Sequence, residues 1–202
     1  MKLKILKTDV SISFLMICLA SLCIIMGVFQ NFLLCIFAIL IHEAGHIFTM
    51  RLFGYSPDKI KISLYEIQIS DNSRQRRTNK QNFFIIFFGP FANFICFIIC
   101  YLLYLFCNAI FMPFAIANLS ICIFNLLPVL SLDGGQMLYI LLLKKHSETF
   151  AEKAVNIISF IFLFPLSAAG FLLLFNSEYN FSLLFVCFYI VLSLVCKNNR
   201  YY

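Results

Sequence analysis

A chain of 202 residues with 62% hydrophobic and only 12% charged residues lies far outside the soluble globular range of about 45–50% apolar and 25% charged. This excludes a soluble domain and leaves room for one compact bundle of about six membrane spans at roughly 20 residues each. The formal charge of +6 does not point to nucleic acid, because the basic residues fall in the links between apolar runs, where they serve topology and contact with anionic lipid.

Lys2, Lys4 and Lys7 precede an apolar run over 12–29. It is long enough to span and carries no clean small-x-small cleavage site, so it reads as a retained first span rather than a signal peptide. The second expected span, 32–53, contains Ile41-His42-Glu43-Ala44-Gly45-His46. On a helix, the i, i+4 spacing places His42 and His46 on one face one turn apart, where two imidazoles can hold one metal ion with Glu43 beside it. This is the zincin arrangement: zinc lowers the pKa of a bound water towards neutrality, and the carboxylate takes its proton and later passes it on. The chemistry it points to is peptide-bond hydrolysis. The competing reading, two packing histidines with a snorkelling glutamate, is weakened because ionisable groups within a span are costly.

The stretch 54–81 is the one long polar segment. Lys59 to Leu64 and Glu66 to Ser70 each alternate strictly, with a phase break at Tyr65-Glu66, which predicts a small membrane-surface β-hairpin. An amphipathic interfacial segment is the alternative. The basic link Asp71 to Lys80 faces solvent and lipid headgroups in this reading. Apolar runs over 82–107 and 109–130 follow, broken at Asn108. Then come a short helix over Gln136–Leu143, a charged patch over 144–153, and spans over 154–175 and 181–196. The expected fold is thus an all-α polytopic membrane protein of six transmembrane helices with a hairpin between the second and third. It forms a single domain over 1–202, with the metal-site core at about 31–143.

Arg51 at the end of the second span, the N-terminal segment, the 54–81 loop, the 144–153 link and the C-terminus together hold all fifteen Lys and Arg. That bias predicts both termini on the cytoplasmic side of the membrane. The nine helical residues from His42 to Arg51 place the metal about 14 Å from the cytoplasmic boundary. The nine cysteines, Cys18, Cys23, Cys35, Cys96, Cys100, Cys107, Cys122, Cys187 and Cys196, lie in or at the ends of apolar segments without C-x-x-C spacing. They read as small core residues.

A catalytic zinc takes three protein ligands and keeps a position for water, so the two histidines require a partner. Asp133 is the candidate. Asn125-Leu126-Leu127-Pro128 interrupts an apolar run, and Leu132-Asp133-Gly134-Gly135 precedes renewed helical character. Irregular backbone at membrane depth is tolerated where it lines an enclosed or watery cavity, and there it can aim a carboxylate at a cation. The alternative role of Asp133 is to cap the following helix.

His42-Glu43-x-x-His46, Gly89-Pro90-x-x-Asn93 and Asn125-x-x-Pro128-x-x-x-Leu132-Asp133-Gly134-Gly135 together resemble the site-2 protease family of intramembrane zinc metalloproteases. The six-span size looks most like the sporulation branch, which activates a membrane-tethered sigma factor. The resemblance implies one Zn2+ per chain on His42, His46 and Asp133, Glu43 as general base, Asn125 as a stabiliser of the oxyanion, and Asn93 near the substrate channel. An amide donor in a water-poor site suits the role of Asn125, although it could equally tie up backbone freed by Pro128. For Asn93 the alternative is ordinary interhelical hydrogen bonding. Two departures stand out. Only Lys197 to Tyr202 follow the last expected span, where the sporulation branch carries a nucleotide-sensing domain, so nucleotide regulation is not carried over. No PDZ-like insertion is found either.

The implied function is cleavage of a membrane-anchored protein, such as a pro-sigma or anti-sigma factor, near the cytosolic face of a bacterial inner membrane. Its partners are that substrate, the lipid bilayer and a membrane-borne inhibitor or regulator. The rival readings are a proteolytically silent relative that holds membrane proteins, and a metal-ion transporter, to which Glu43 would be superfluous. Within 59–70, Ile67 and Ile69 are expected to bind substrate by offering main-chain N–H groups to an unwound segment.

Overall fold

A computed structural model of the chain describes residues 2–5, 8–12, 24, 27, 29–55, 59–62, 67–70 and 77–176. It forms two compact units, Met1–Ile123 and Phe124–Tyr202.

The first unit is built on two long helices, α1 (Phe29–Leu52) and α2 (Asn79–Phe106), packed against each other. α1 carries no acidic residue in its first turn and ends with Arg51 in its last, where a cation complements the helix dipole. It stops at Gly54, whose φ of 79° only glycine adopts readily. The Gly54 N–H donates to the Arg51 carbonyl and the Tyr55 N–H to that of Met50, satisfying groups that the helix end would leave bare. α2 opens on a capping box. Thr78 Oγ1 accepts from the Gln81 N–H and Gln81 Oε1 accepts from the Thr78 N–H. Arg77 lies over the Tyr55 ring at 4.7 Å, and the Tyr55 hydroxyl donates to Gln81 Oε1 at 3.4 Å. These contacts tie the end of α1 to the start of α2. Burial draws the Arg77 pKa down, yet a guanidinium stays cationic at any physiological pH.

A 3-10 turn, Ala109–Phe111, leads from α2 into α3 (Met112–Asn125). The Asn108 side chain accepts from the Ile110 N–H and marks the break that the sequence placed there. Four strands also belong to this unit: β1 (Lys2–Ile5), β2 (Thr8–Ile12), β3 (Lys59–Ile62) and β4 (Ile67–Ser70), in the order β1-β2-β3-β4. β3 and β4 are antiparallel, with Lys59 opposite Ser70 and Ile62 opposite Ile67, while β2 runs parallel to β3. The expected arrangement was an isolated hairpin in an otherwise all-α chain, and the sheet is a correction to it. The N-terminal residues, where no strand was expected, alternate in Lys-Leu-Lys-Ile and Asp-Val-Ser-Ile with the period of two that a strand requires. They pair onto β3.

The second unit holds the irregular stretch 126–132, the short helix α4 (Asp133–Leu142) and α5 (Glu148–Asn176). α5 begins inside the expected charged link, so Glu148 to Lys153 are helical.

Of the six expected spans, the helices long and apolar enough to cross a membrane among the described residues are three: α1, α2 and the Glu148–Leu166 part of α5. A shorter apolar helix, Ala109–Asn125, stands where a span over 109–130 was expected. Pro128 accounts for the shortfall, since it lacks an N–H and drives the residue before it out of helical geometry. The expected spans over 12–29 and 181–196 lie outside the described residues, apart from Ile12, Ile24, Gly27 and Phe29.

Polarity is arranged inside out. Phe37, Phe48, Leu52, Phe106, Ile110, Ile161 and Phe164 are exposed, whereas His42, Thr49, Asn93, Asn118, Asp133 and Ser159 are buried. A hydrocarbon solvent produces this, because apolar side chains lose nothing by facing it and polar ones must find partners within the protein.

Candidate metal centre

The centre is built where α1 and α2 pack together. Gly45 permits the approach, because a Cβ there would run into the Phe88 carbonyl and lie 2.9 Å from the Ala92 methyl. His42, three residues before it, and His46, the residue after it, both reach α2. His46 Nδ1 lies 2.8 Å from the Ile85 carbonyl, which only accepts, so Nδ1 carries the proton. His42 Nδ1 lies 2.8 Å from Asn93 Oδ1. The Asn93 amide nitrogen donates to the Ala38 carbonyl at 2.8 Å and to Asn118 Oδ1 at 2.9 Å, so oxygen is the Asn93 atom facing His42. His42 Nδ1 therefore also donates, and both rings are fixed as tautomers whose Nε2 carries a lone pair.

Those two Nε2 atoms stand 3.1 Å apart, with the rings nearly perpendicular at 85°. Two lone pairs at that separation repel each other, and a cation between them relieves the repulsion. Two nitrogens on a tetrahedral zinc, each at 2.0–2.1 Å, would be about 3.3 Å apart. The space beside the two rings is kept open by Gly89, where a Cβ would collide with His46 Nε2 and lie 3.0 Å from His42 Nε2. Glu43, half-buried, follows His42 on the same helix. The residues present thus fit a divalent zinc.

In the second unit, Asn125 and Asp133 bracket the irregular stretch: Asn125 ends α3, half-buried, and Asp133 begins α4, buried. The N-cap of α4 is Leu132, which makes no side-chain cap bond, so Asp133 is the first helical residue rather than the cap. Its carboxylate sits at the positive end of the helix dipole, where negative charge is favoured. Gly134 and Gly135 let this first turn press onto the stretch before it, since side chains there would strike the carbonyls of Leu126 and Val129. The stretch is pinned to α5 by Ser159. Its Oγ accepts from the Leu130 N–H at 3.0 Å and donates to the Val155 carbonyl at 2.8 Å, with the Pro128 carbonyl at 3.4 Å. Val129, Leu132 and Leu163 pack beneath, joined by Phe124 and Leu127.

The structure therefore brings His42, His46 and Asn93 together, and it places Asp133 and Asn125 at the two ends of one broken segment. Asn93 is fully buried and makes interhelical hydrogen bonds from both its amide atoms, the alternative role for that residue. Ile67 and Ile69 lie in β4. His146 is exposed, its ring 4.5 Å from that of Phe150. The described cysteines, Cys35, Cys96, Cys100, Cys107 and Cys122, are free thiols. Sequence reading missed Asn118, Ser159 and the Ile85 carbonyl. The signal for the first two was present: a polar residue inside an apolar helix is a functional or structural hypothesis by default.

Comparison with curated protein sequences gives no match. Among solved structures, the chain is similar to the site-2 protease from Methanocaldococcus jannaschii, with a TM-score of 0.72 and 19% identity over 98% of this chain and 94% of that one. At that identity the likeness concerns the fold. The sequence signature of Peptidase family M50 matches residues 30–109 and 107–166, well over half of the chain. The protein is a membrane-embedded member of peptidase family M50.

Proposed function

We propose that the chain is an intramembrane zinc endopeptidase of the site-2 type, with His42, His46 and Asp133 holding one Zn2+. The observation that carries this reading is the pair of Nε2 atoms 3.1 Å apart, both Nδ1 atoms committed elsewhere, beside Glu43 on an apolar helix. Zinc at such a site supplies a Lewis acid and lowers the pKa of bound water. Glu43 takes the water proton as it attacks the scissile carbonyl and returns it to the leaving amine. The Asn125 amide N–H stabilises the negative charge that develops on the carbonyl oxygen, a contribution of about 2.7–4 kcal/mol for one such donor. The buried, apolar setting strengthens both interactions.

The substrate is a membrane-anchored protein cut near the cytosolic face of a bacterial membrane. A pro-sigma or anti-sigma factor fits that class, as in sporulation. A peptide bond inside a helix is shielded by its own turn, so the substrate must be held extended. β4 ends the order β1-β2-β3-β4, and its outer edge suits a substrate strand added by main-chain hydrogen bonds. N–H direction alternates along a strand, so Ile67 and Ile69 serve one side of β4 while Gln68 and Ser70 serve the other.

The test is Glu43→Gln in the purified protein, with cleavage of a membrane-anchored substrate and bound zinc measured together. The amide preserves shape but accepts no proton, so zinc stays and cleavage is lost. Substantial residual proteolysis sinks the assignment, and a wild-type protein that binds zinc without cleaving any anchored substrate supports the silent relative.

A further inference from the structure

We propose that Asn118 is a positioning residue for the metal centre, acting through Asn93 on His42. This rests on reading His42 as a metal ligand and goes beyond it. Asn118 and Asn93 are both wholly inaccessible to solvent. A planar amide presents oxygen on one side and nitrogen on the other, and nothing in the shape of Asn93 decides which faces His42. Two backbone carbonyls, which only accept, make that decision. Phe114 O takes the Asn118 Nδ2–H at 2.9 Å, which turns Asn118 Oδ1 towards Asn93. Asn118 Oδ1 then accepts one Asn93 N–H at 2.9 Å, while Ala38 O accepts the other at 2.8 Å. With both its N–H groups committed, Asn93 presents oxygen to His42 Nδ1. His42 accordingly holds its proton on Nδ1 and turns the Nε2 lone pair to the metal.

The relay crosses three helices, from α3 through α2 to α1, and its direction is set from the far end. Without Asn118, one buried N–H of Asn93 loses its acceptor, and only Ala38 O continues to oppose the reversed amide. In the reversed orientation the nitrogen faces His42 Nδ1, which favours the imidazole tautomer with its proton on Nε2, the wrong one for a ligand.

The experiment uses full-length protein in detergent and reads zinc affinity by chelator competition, together with the visible absorption spectrum of the Co2+-loaded form. Asn93→Leu lowers affinity about 10–100-fold, the usual loss when a group orienting a ligand is removed. Asn118→Leu, close in size and without an acceptor, lowers it about 3–10-fold and shifts the Co2+ bands. Added to Asn93→Leu, it causes no further loss, because its effect passes through Asn93. Asn118→Asp keeps an acceptor oxygen and stays within about threefold of wild type. If Asn118→Leu does not fold, Asn118→Val, smaller and equally without an acceptor, is read in its place. Wild-type affinity and spectrum in the folded variant overturn the proposal, as does a loss that adds in full to that of Asn93→Leu. A wild-type protein that binds no zinc refutes the metal reading itself and this inference with it, and is thereby distinguished from zinc binding indifferent to residue 118.

Discussion

Gly89→Ala is the most direct probe of the metal centre, since it adds one methyl group where the ion would sit. The new carbon would collide with the metal-facing edge of His46 and lie 3.0 Å from His42 Nε2, against an ordinary carbon contact of about 3.5–4.0 Å. Neither ring can swing away cheaply, because His46 is held by the Ile85 carbonyl and His42 by Asn93, each at 2.8 Å. Breaking one of these leaves a buried partner unsatisfied at a cost of about 1–3 kcal/mol, the same range that overpacking a close-packed site costs. The fold therefore survives with reduced stability, whereas the metal loses its space. Zinc affinity is expected to fall by more than about 100-fold, beyond the 10–100-fold typical of disturbing an outer hydrogen bond, and proteolysis falls with it. Metal content and chelator competition on purified protein, alongside a thermal melt of the metal-free form, separate the two effects. Gly89→Ala with wild-type zinc affinity would show that the ion does not lie between the two Nε2 atoms.

Asp133→Ala should lower zinc content as well as activity, while Asp133→Asn should bind weakly because a neutral amide is a poorer ligand; wild-type zinc stoichiometry in the alanine variant would place the third ligand elsewhere. Ser159→Ala removes the acceptor of the half-buried Leu130 N–H, so a loss of about 1–3 kcal/mol of stability is expected, read as a lowered melting temperature; an unchanged melt would mean that Ser159 does not hold the stretch before Asp133. Proline placed in turn at Ile67, Gln68, Ile69 and Ser70 should impair cleavage of a helical membrane substrate more than hydrolysis of a short extended peptide, and only at alternate positions. Equal loss on both substrates would indicate misfolding, and no loss at any position would leave the sheet without a role in substrate handling.

Much of the centre was legible in the linear sequence because its key pair is local. His42 and His46 are four residues apart, and any helix through them puts both on one face whatever the rest of the chain does. The same holds for the ends of the elements. Gly54, the Thr78 capping box, Asn108 and Pro128 act over two to four residues, and the helix boundaries follow them. The apolar composition decided the solvent, and with it that polar side chains such as Asn93 would be buried and partnered.

The partners were decided only by the tertiary structure. Asn118 lies 25 residues from Asn93 and Ser159 lies 29 from Leu130, and no periodicity within one helix reveals which turn of another will face it. The tautomers of His42 and His46 depend on carbonyls contributed by α2 and on an amide turned by α3, so the hydrogen-bond polarity of the site is a property of packing. The N-terminal strands joined the sheet for the same reason. Their alternation permits a strand, but only the approach of β3 supplies the hydrogen-bonding edge that makes one. The steric roles of Gly45 and Gly89 likewise become visible only once the facing helix is in place, because an absent side chain carries no signal of what it makes room for.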